Sequence, residues 1–200
     1  PVNSVPGAQT TAEDTNKVIP DLQVSDVDAT GSITVTLAVT NGTLTVVTGT
    51  GVGIATNNSA SVVLTGTVAN INGLLAQAGA VTYKPTPNYS GSAQLTMTSS
   101  DGTLSDTDTV DITVDPANDA PVITDTDLSM ATVGTYSGNP AGAVGSLVAD
   151  FMAGVTDIDA GALQGMAITG IDATKGTLWY STNGGTNWTE VTGTLSNTNA

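Results

Sequence analysis

Ile33, Val35, Leu37 and Val39 alternate with Thr34, Thr36 and Ala38, the period of two that sets one face of a strand on a core and the other in water. The same beat returns at Leu95 and Met97, and again at Val110, Ile112 and Val114. Threonine and valine fill these runs, as suits a pleated, half-buried surface. Glycine and asparagine punctuate them, and Asn41-Gly42 predicts a tight hairpin turn. Helical periodicity is nearly absent: only Val68 to Gln77 predicts a helical turn or two, with Thr67 as its cap. For residues 1–120 the pattern predicts an antiparallel β-sandwich of about seven strands. The fold class expected for the chain is all-β.

Composition narrows the chemistry. The 200 residues carry a formal charge of −15, with basic side chains only at Lys17, Lys84 and Lys175. Neither phosphate contacts nor counterion release have a source, so nucleic acid and anionic membranes are excluded as partners. There is no His, Cys or Arg, which removes histidine-based triads, thiol nucleophiles, zinc sites and arginine clamps. Carboxylate pairs are the chemistry left for catalysis. Just two glutamates exist, and the aspartates fall at strand ends and turns, so no enzyme is expected. No apolar run is long enough to cross a bilayer, and no stretch of these residues reads as a signal peptide. A chain beginning at Pro1 reads as a piece of something larger. Without cysteine, an extracellular version needs a staple other than disulfides, and metal is the obvious one.

Between the strand-rich stretches lies Asp115-Pro116-Ala117-Asn118-Asp119-Ala120-Pro121. Its prolines stiffen the backbone and prevent strand pairing. Its oxygen-bearing side chains suit a linker that clamps a hard cation such as calcium, which takes six to eight oxygens. An ordinary acidic turn fits the same residues. Two markers recur along the chain. Pro1-Val2 returns as Pro121-Val122, an offset of 120 residues (position 1 to position 121). Asp26-Val27-Asp28-Ala29 returns as Asp157-Ile158-Asp159-Ala160, an offset of 131 (position 26 to position 157). Similar offsets point to a tandem repeat with a modest insertion in the second copy. Domain 1 is expected over 1–120, with its linker at 115–121. The second domain, over 121–200, has no counterpart of the Tyr83–Tyr89 segment or of the last two strands. Missing strands leave open edges, so this domain is expected to be split, or completed by chain outside these residues.

Leu95 to Pro121 (LTMTSSDGTLSDTDTVDITVDPANDAP) resembles the end of a cadherin-like repeat, with two strands, an Asp-Gly between them and an N-D-x-P linker. Val81 to Gly91 (VTYKPTPNYSG) resembles the T-Y-x-P-x-x-N-[FY]-x-G segment of bacterial tandem cadherin-like domains, and Ala12 to Ala29 resembles their opening. The resemblance implies Greek-key, Ig-like sandwiches strung together in giant surface adhesins of the repeats-in-toxin (RTX) type, exported without an N-terminal signal. It implies calcium as cofactor. One site would gather Glu13, Asp115, Asn118, Asp119, Asp157 and Asp159, and a second Asp26, Asp28 and Asp101. No acidic residue like Glu13 stands around Gly142–Leu147. Calcium at ten times a millimolar-range dissociation constant adds about 1.4 kcal/mol per site, modest for folding but large for a bent–straight equilibrium. The implied role is a calcium-rigidified extender on the bacterial cell surface. Its partners would be neighbouring repeats and the remainder of the split domain, with a cell-surface glycan or protein reached through an adjacent module for adhesion or biofilm formation.

Other groups carry weaker signals. Ser181 to Trp188 (STNGGTNW) nearly matches S-x-D-x-G-x-x-W, a hairpin turn stapled by its own side chains. Trp179, Tyr180 and Trp188 around it read as cross-strand packing. The alternative is a glycan- or protein-binding surface made by this aromatic hairpin. Asp106 and Asp108 are expected on the solvent face of the last strand of domain 1, discouraging edge pairing. Asp125 and Asp127 would add to the linker site.

Overall fold

Residues 1–200 are described by a computed structural model apart from 125–128, 131, 133–137, 164, 173, 194 and 197–200. Among them the secondary structure is mostly strand, with two short helices. The chain divides into two compact units, Pro1–Ala117 and Asn118–Ala200.

Unit 1 contains β1 (Val2–Ser4), β2 (Gln9–Ala12), β3 (Lys17–Val18), β4 (Gln23–Ser25), β5 (Ile33–Val39), β6 (Gly42–Val46), β7 (Val52–Ala55), β8 (Ser61–Gly66), α1 (Val68–Leu75), β9 (Val81–Pro85), β10 (Gly91–Ser100) and β11 (Ser105–Asp115). Six strands form one sheet in the order β2-β11-β10-β5-β8-β7; three form another, β3-β9-β6; and β1 pairs with β4. The pairings are antiparallel except β2 with β11, which is parallel (Gln9↔Ile112 to Ala12↔Asp115).

Alternation in the sequence becomes burial in the structure. Ile33, Val35, Leu37 and Val39 are buried along β5, as are Leu95 and Met97 on β10 and Val110, Ile112 and Val114 on β11. They form one cluster with Leu44 and Val46 of β6, Val81 and Tyr83 of β9, and Ile71, Leu74 and Leu75 of α1. Burying each such side chain is worth about 1.5–3 kcal/mol. Thr67 caps α1 by accepting from the Asn70 amide at 3.2 Å. Short strands at the margins make eleven strand segments where about seven were expected.

Two expectations are corrected. Asn41-Gly42 is no hairpin turn: β5 lies in the six-stranded sheet and β6 in the three-stranded one, so the chain turns a corner between sheets. The positive φ of Asn41 (53°) makes the bend, and the Tyr83 hydroxyl donates to the Asn41 carbonyl at 2.8 Å. Tyr83 crowds the space where a side chain at position 42 would stand, so glycine is required there. The second correction concerns Asp106 and Asp108. They share the face of Val110, Ile112 and Val114 and are half-buried, because parity along a strand fixes the face whatever the side chain's polarity.

Unit 2 holds β12 (Val122–Ile123), α2 (Val148–Phe151), β13 (Val155–Thr156), β14 (Trp179–Tyr180) and β15 (Thr189–Glu190). β12 pairs with β13 as Val122↔Thr156 and Ile123↔Val155, the same register as Val2↔Ser25 and Asn3↔Val24 between β1 and β4. A proline precedes each first strand and an aspartate follows each second one. Beyond this shared start the units differ: among the described residues the fully buried apolar side chains lie between Ile19 and Val114. In unit 2, Ile123, Leu147, Ile158 and Leu163 are exposed.

Candidate metal centre

Two turns build the cluster at one end of unit 1. Where β4 ends, Asp26 Oδ1 accepts from the amides of Asp28 (3.2 Å) and Ala29 (3.0 Å), folding the D-x-D segment back on itself. Between β10 and β11, Asp101 Oδ1 accepts from the amides of Thr103 (2.7 Å) and Leu104 (2.8 Å), and Gly102 takes the positive φ that the turn requires. The turns bring Asp26, Asp28 and Asp101 together, with one carboxylate oxygen from each within 4.8 Å of the others.

Asp26 Oδ2 is buried and lies 3.1 Å from the Pro1 nitrogen. That ammonium is foremost in holding the Asp26 carboxyl down at about 2; burial opposes it, and the Asp28 and Ala29 amides add to it. The same contact raises the Pro1 amino group. The Leu104 amide and then the Thr103 amide lower Asp101. The residues fit calcium. Ca–O distances of about 2.3–2.6 Å put opposite donors of one ion about 5 Å apart, and the 4.8 Å spread lies inside that span.

Glu13 and Asp115 lie at the other end of unit 1. Glu13 follows β2 and is buried; its amide donates to the Asp115 carbonyl at 2.8 Å, and its Oε1 accepts from the Ala117 amide at 2.7 Å. Its carboxylate therefore ties down the chain leaving β11, while Asp115 itself is exposed.

In unit 2 the D-x-D segment after β13 repeats the first turn: Asp157 Oδ1 accepts from the Asp159 amide at 3.0 Å. Asp159 Oδ2 accepts from the Asp119 amide at 2.7 Å, and Asn118 Nδ2 donates to the Asp119 carbonyl at 2.7 Å. Asp159 thus meets the Asp119 backbone, but among the described residues the carboxylates that converge are those of Asp26, Asp28 and Asp101, not those of Asp119, Asp157 and Asp159. Asp125 and Asp127 lie outside the described residues.

The aromatic hairpin is stapled as its sequence suggests. Ser181 Oγ accepts from the Gly185 amide at 2.9 Å and donates to Asn183 Oδ1 at 3.0 Å, and that oxygen also accepts from the Asn187 amide at 2.9 Å. Gly185 has φ 85°, and a side chain there would strike the backbone at Gly142 and Ala143. Both indole N–H groups are engaged, Trp188 to the Gly142 carbonyl (3.1 Å) and Trp179 to Thr177 Oγ1 (3.0 Å). Tyr180 is 51% exposed.

Sequence reasoning passed over Asn3, which is buried against the β10–β11 hairpin. A lone asparagine after Pro-Val carries no signal in sequence. Comparison with protein-family models found no match, and neither did comparison with curated proteins.

Proposed function

We propose that this chain is a calcium-stiffened extender of a secreted bacterial surface adhesin, projecting a ligand-binding module rather than binding the target itself. In this reading unit 1 is a Greek-key, cadherin-like sandwich and unit 2 the opening part of another. The observation that carries the reading is the convergence of Asp26, Asp28 and Asp101 from two distant turns, with oxygens within 4.8 Å. Folding draws like charges together there, in a chain already at −15, which a divalent ion would neutralise. The repeated Asx turn at Asp157 and Asp159, after a strand pair of the same register, supports a site of the same kind in unit 2. In unit 1, Asp26, Asp28 and Asp101 would hold the ion; in unit 2, Asn118, Asp119, Asp157 and Asp159. The turn stapled by its own side chains and the half-buried indoles of Trp179 and Trp188 favour packing over sugar stacking for the aromatic hairpin.

Calorimetric titration tests this reading. Calcium should bind with a millimolar-range or tighter dissociation constant, and chelation should lower the melting temperature and speed protease cutting between Pro116 and Pro121. No heat of binding, together with unchanged cutting, counts against it. Tryptophan fluorescence should show no saturable response to a glycan panel; saturation would support the binding-module alternative.

A further inference from the structure

The carboxylates of the unit 1 cluster ride on separate pieces of backbone. Asp26 and Asp28 follow β4, which pairs only with β1, whereas Asp101 sits on the turn of the β10–β11 hairpin in the six-stranded sheet. Mutual repulsion drives the two pieces apart; β4 is also held to α1, where the Asn72 side chain bonds the Val24 amide and carbonyl, while its tie to the hairpin runs through β1.

Asn3 makes that join. Through β1 it is paired opposite Val24 of β4, two residues before Asp26. Its amide donates to Asp106 Oδ2 at 2.7 Å, and its Nδ2 donates to the Met97 carbonyl at 3.1 Å, so it grips both strands of the hairpin. Asp106 lies opposite Ser99 in the β10–β11 register, next to the turn that carries Asp101. Core packing alone does not account for an asparagine here. Asn3 is 9% exposed, and its Oδ1, like Ser99 Oγ, is buried without a partner among the described residues, an arrangement that costs stability. The matching position of the second repeat is the apolar Ile123.

We propose that Asn3 and Asp106 form a clamp that fixes Asp26 and Asp28 at their distance from Asp101, and thereby sets the cation affinity of the cluster. Both are positioning residues and neither touches the ion. The inference rests on the calcium reading above. Partners that orient metal ligands typically matter 10- to 100-fold in affinity.

Two substitutions separate the clamp from simple charge. Asp106→Asn and Asp106→Ala remove the same negative charge, but only asparagine keeps an oxygen to accept from the Asn3 amide. In calorimetric titrations of the 200-residue chain with calcium at fixed ionic strength, Asp106→Asn should stay within about threefold of wild type, and Asp106→Ala should weaken binding about tenfold or more. Equal losses in both overturn the clamp. Should Asp106→Ala fail to fold, Asn3→Ala replaces it: the clamp requires weaker calcium binding with little change in the urea midpoint of the chelated protein, and a matching loss in both overturns it. If the wild-type chain takes up no calcium, the calcium reading fails and the clamp is judged by hydrogen exchange in chelator. The Asn3 amide should then be protected in wild type and Asp106→Asn and exchange at least about tenfold faster in Asp106→Ala; an unprotected Asn3 amide in wild type overturns it.

Discussion

Gly42→Ala is the sharpest test of the corner that carries the chain from the six-stranded sheet to the three-stranded one. A methyl group at position 42 would occupy the same space as the Tyr83 ring and the Lys84 carbonyl. Tyr83 is fully buried and has no room to retreat. Overpacking of this kind costs about 1–3 kcal/mol. Shifting the ring also strains the Tyr83 hydroxyl bond to the Asn41 carbonyl, worth about 1 kcal/mol more. A total of about 2–4 kcal/mol corresponds to a fall of about 8–16 °C in the melting temperature of a domain the size of unit 1. Circular dichroism measures it against a built-in control. Trp179 and Trp188 both lie in unit 2, so indole fluorescence should be unmoved while the strand signal melts early. A second substitution checks the cause: in a Tyr83→Leu background the ring clash is removed while the Lys84 carbonyl stays in place, so the further cost of the methyl should shrink without vanishing. A melting temperature within about 1 °C of wild type for Gly42→Ala would refute the reasoning.

Acid should weaken unit 1 in a defined window. The Asp26 carboxyl is held at about 2 in the folded chain against an ordinary value of 3.8. The unfolded chain therefore binds more protons between those values, and the Asp26 contribution is present above about 4 and lost as pH falls toward 2. For the 200-residue chain, urea midpoints of wild type and Asp26→Asn should converge on going from pH 5 to pH 2, and parallel curves would contradict a lowered Asp26 carboxyl. Glu13 divides two roles: Glu13→Gln keeps an oxygen for the Ala117 amide and should stay within about 1 kcal/mol of wild type, whereas Glu13→Ala should lose about 1.5–3 kcal/mol. Indistinguishable unfolding curves for the two would show that this hydrogen bond contributes nothing.

Much of unit 1 was legible because its strands carry their burial in their spelling. The parity of Ile33 to Val39 and of Val110 to Val114 names the buried face directly, and Thr67 announces the start of α1. Asn41-Gly42 misled because the dipeptide specifies a local bend, while the choice between a hairpin and a sheet-to-sheet corner is made by the distant ring of Tyr83. Alternation was expected to put Asp106 and Asp108 in solvent, but their even positions match those of Val110 and Ile112, and the same alternation carried through the strand sets them on the core face. The aspartates of the cluster were legible one turn at a time, since D-x-D and Asp-Gly each close an Asx turn. Asn3 was not, because its role arises only when β1 and the hairpin meet across nearly a hundred residues.

Crystals grown with calcium and measured for anomalous scattering test the central claim most directly. The account predicts a peak among the carboxylates of Asp26, Asp28 and Asp101, at about 2.3–2.6 Å from an oxygen of each. A cluster that keeps its geometry yet shows only water among those oxygens at saturating calcium would contradict it.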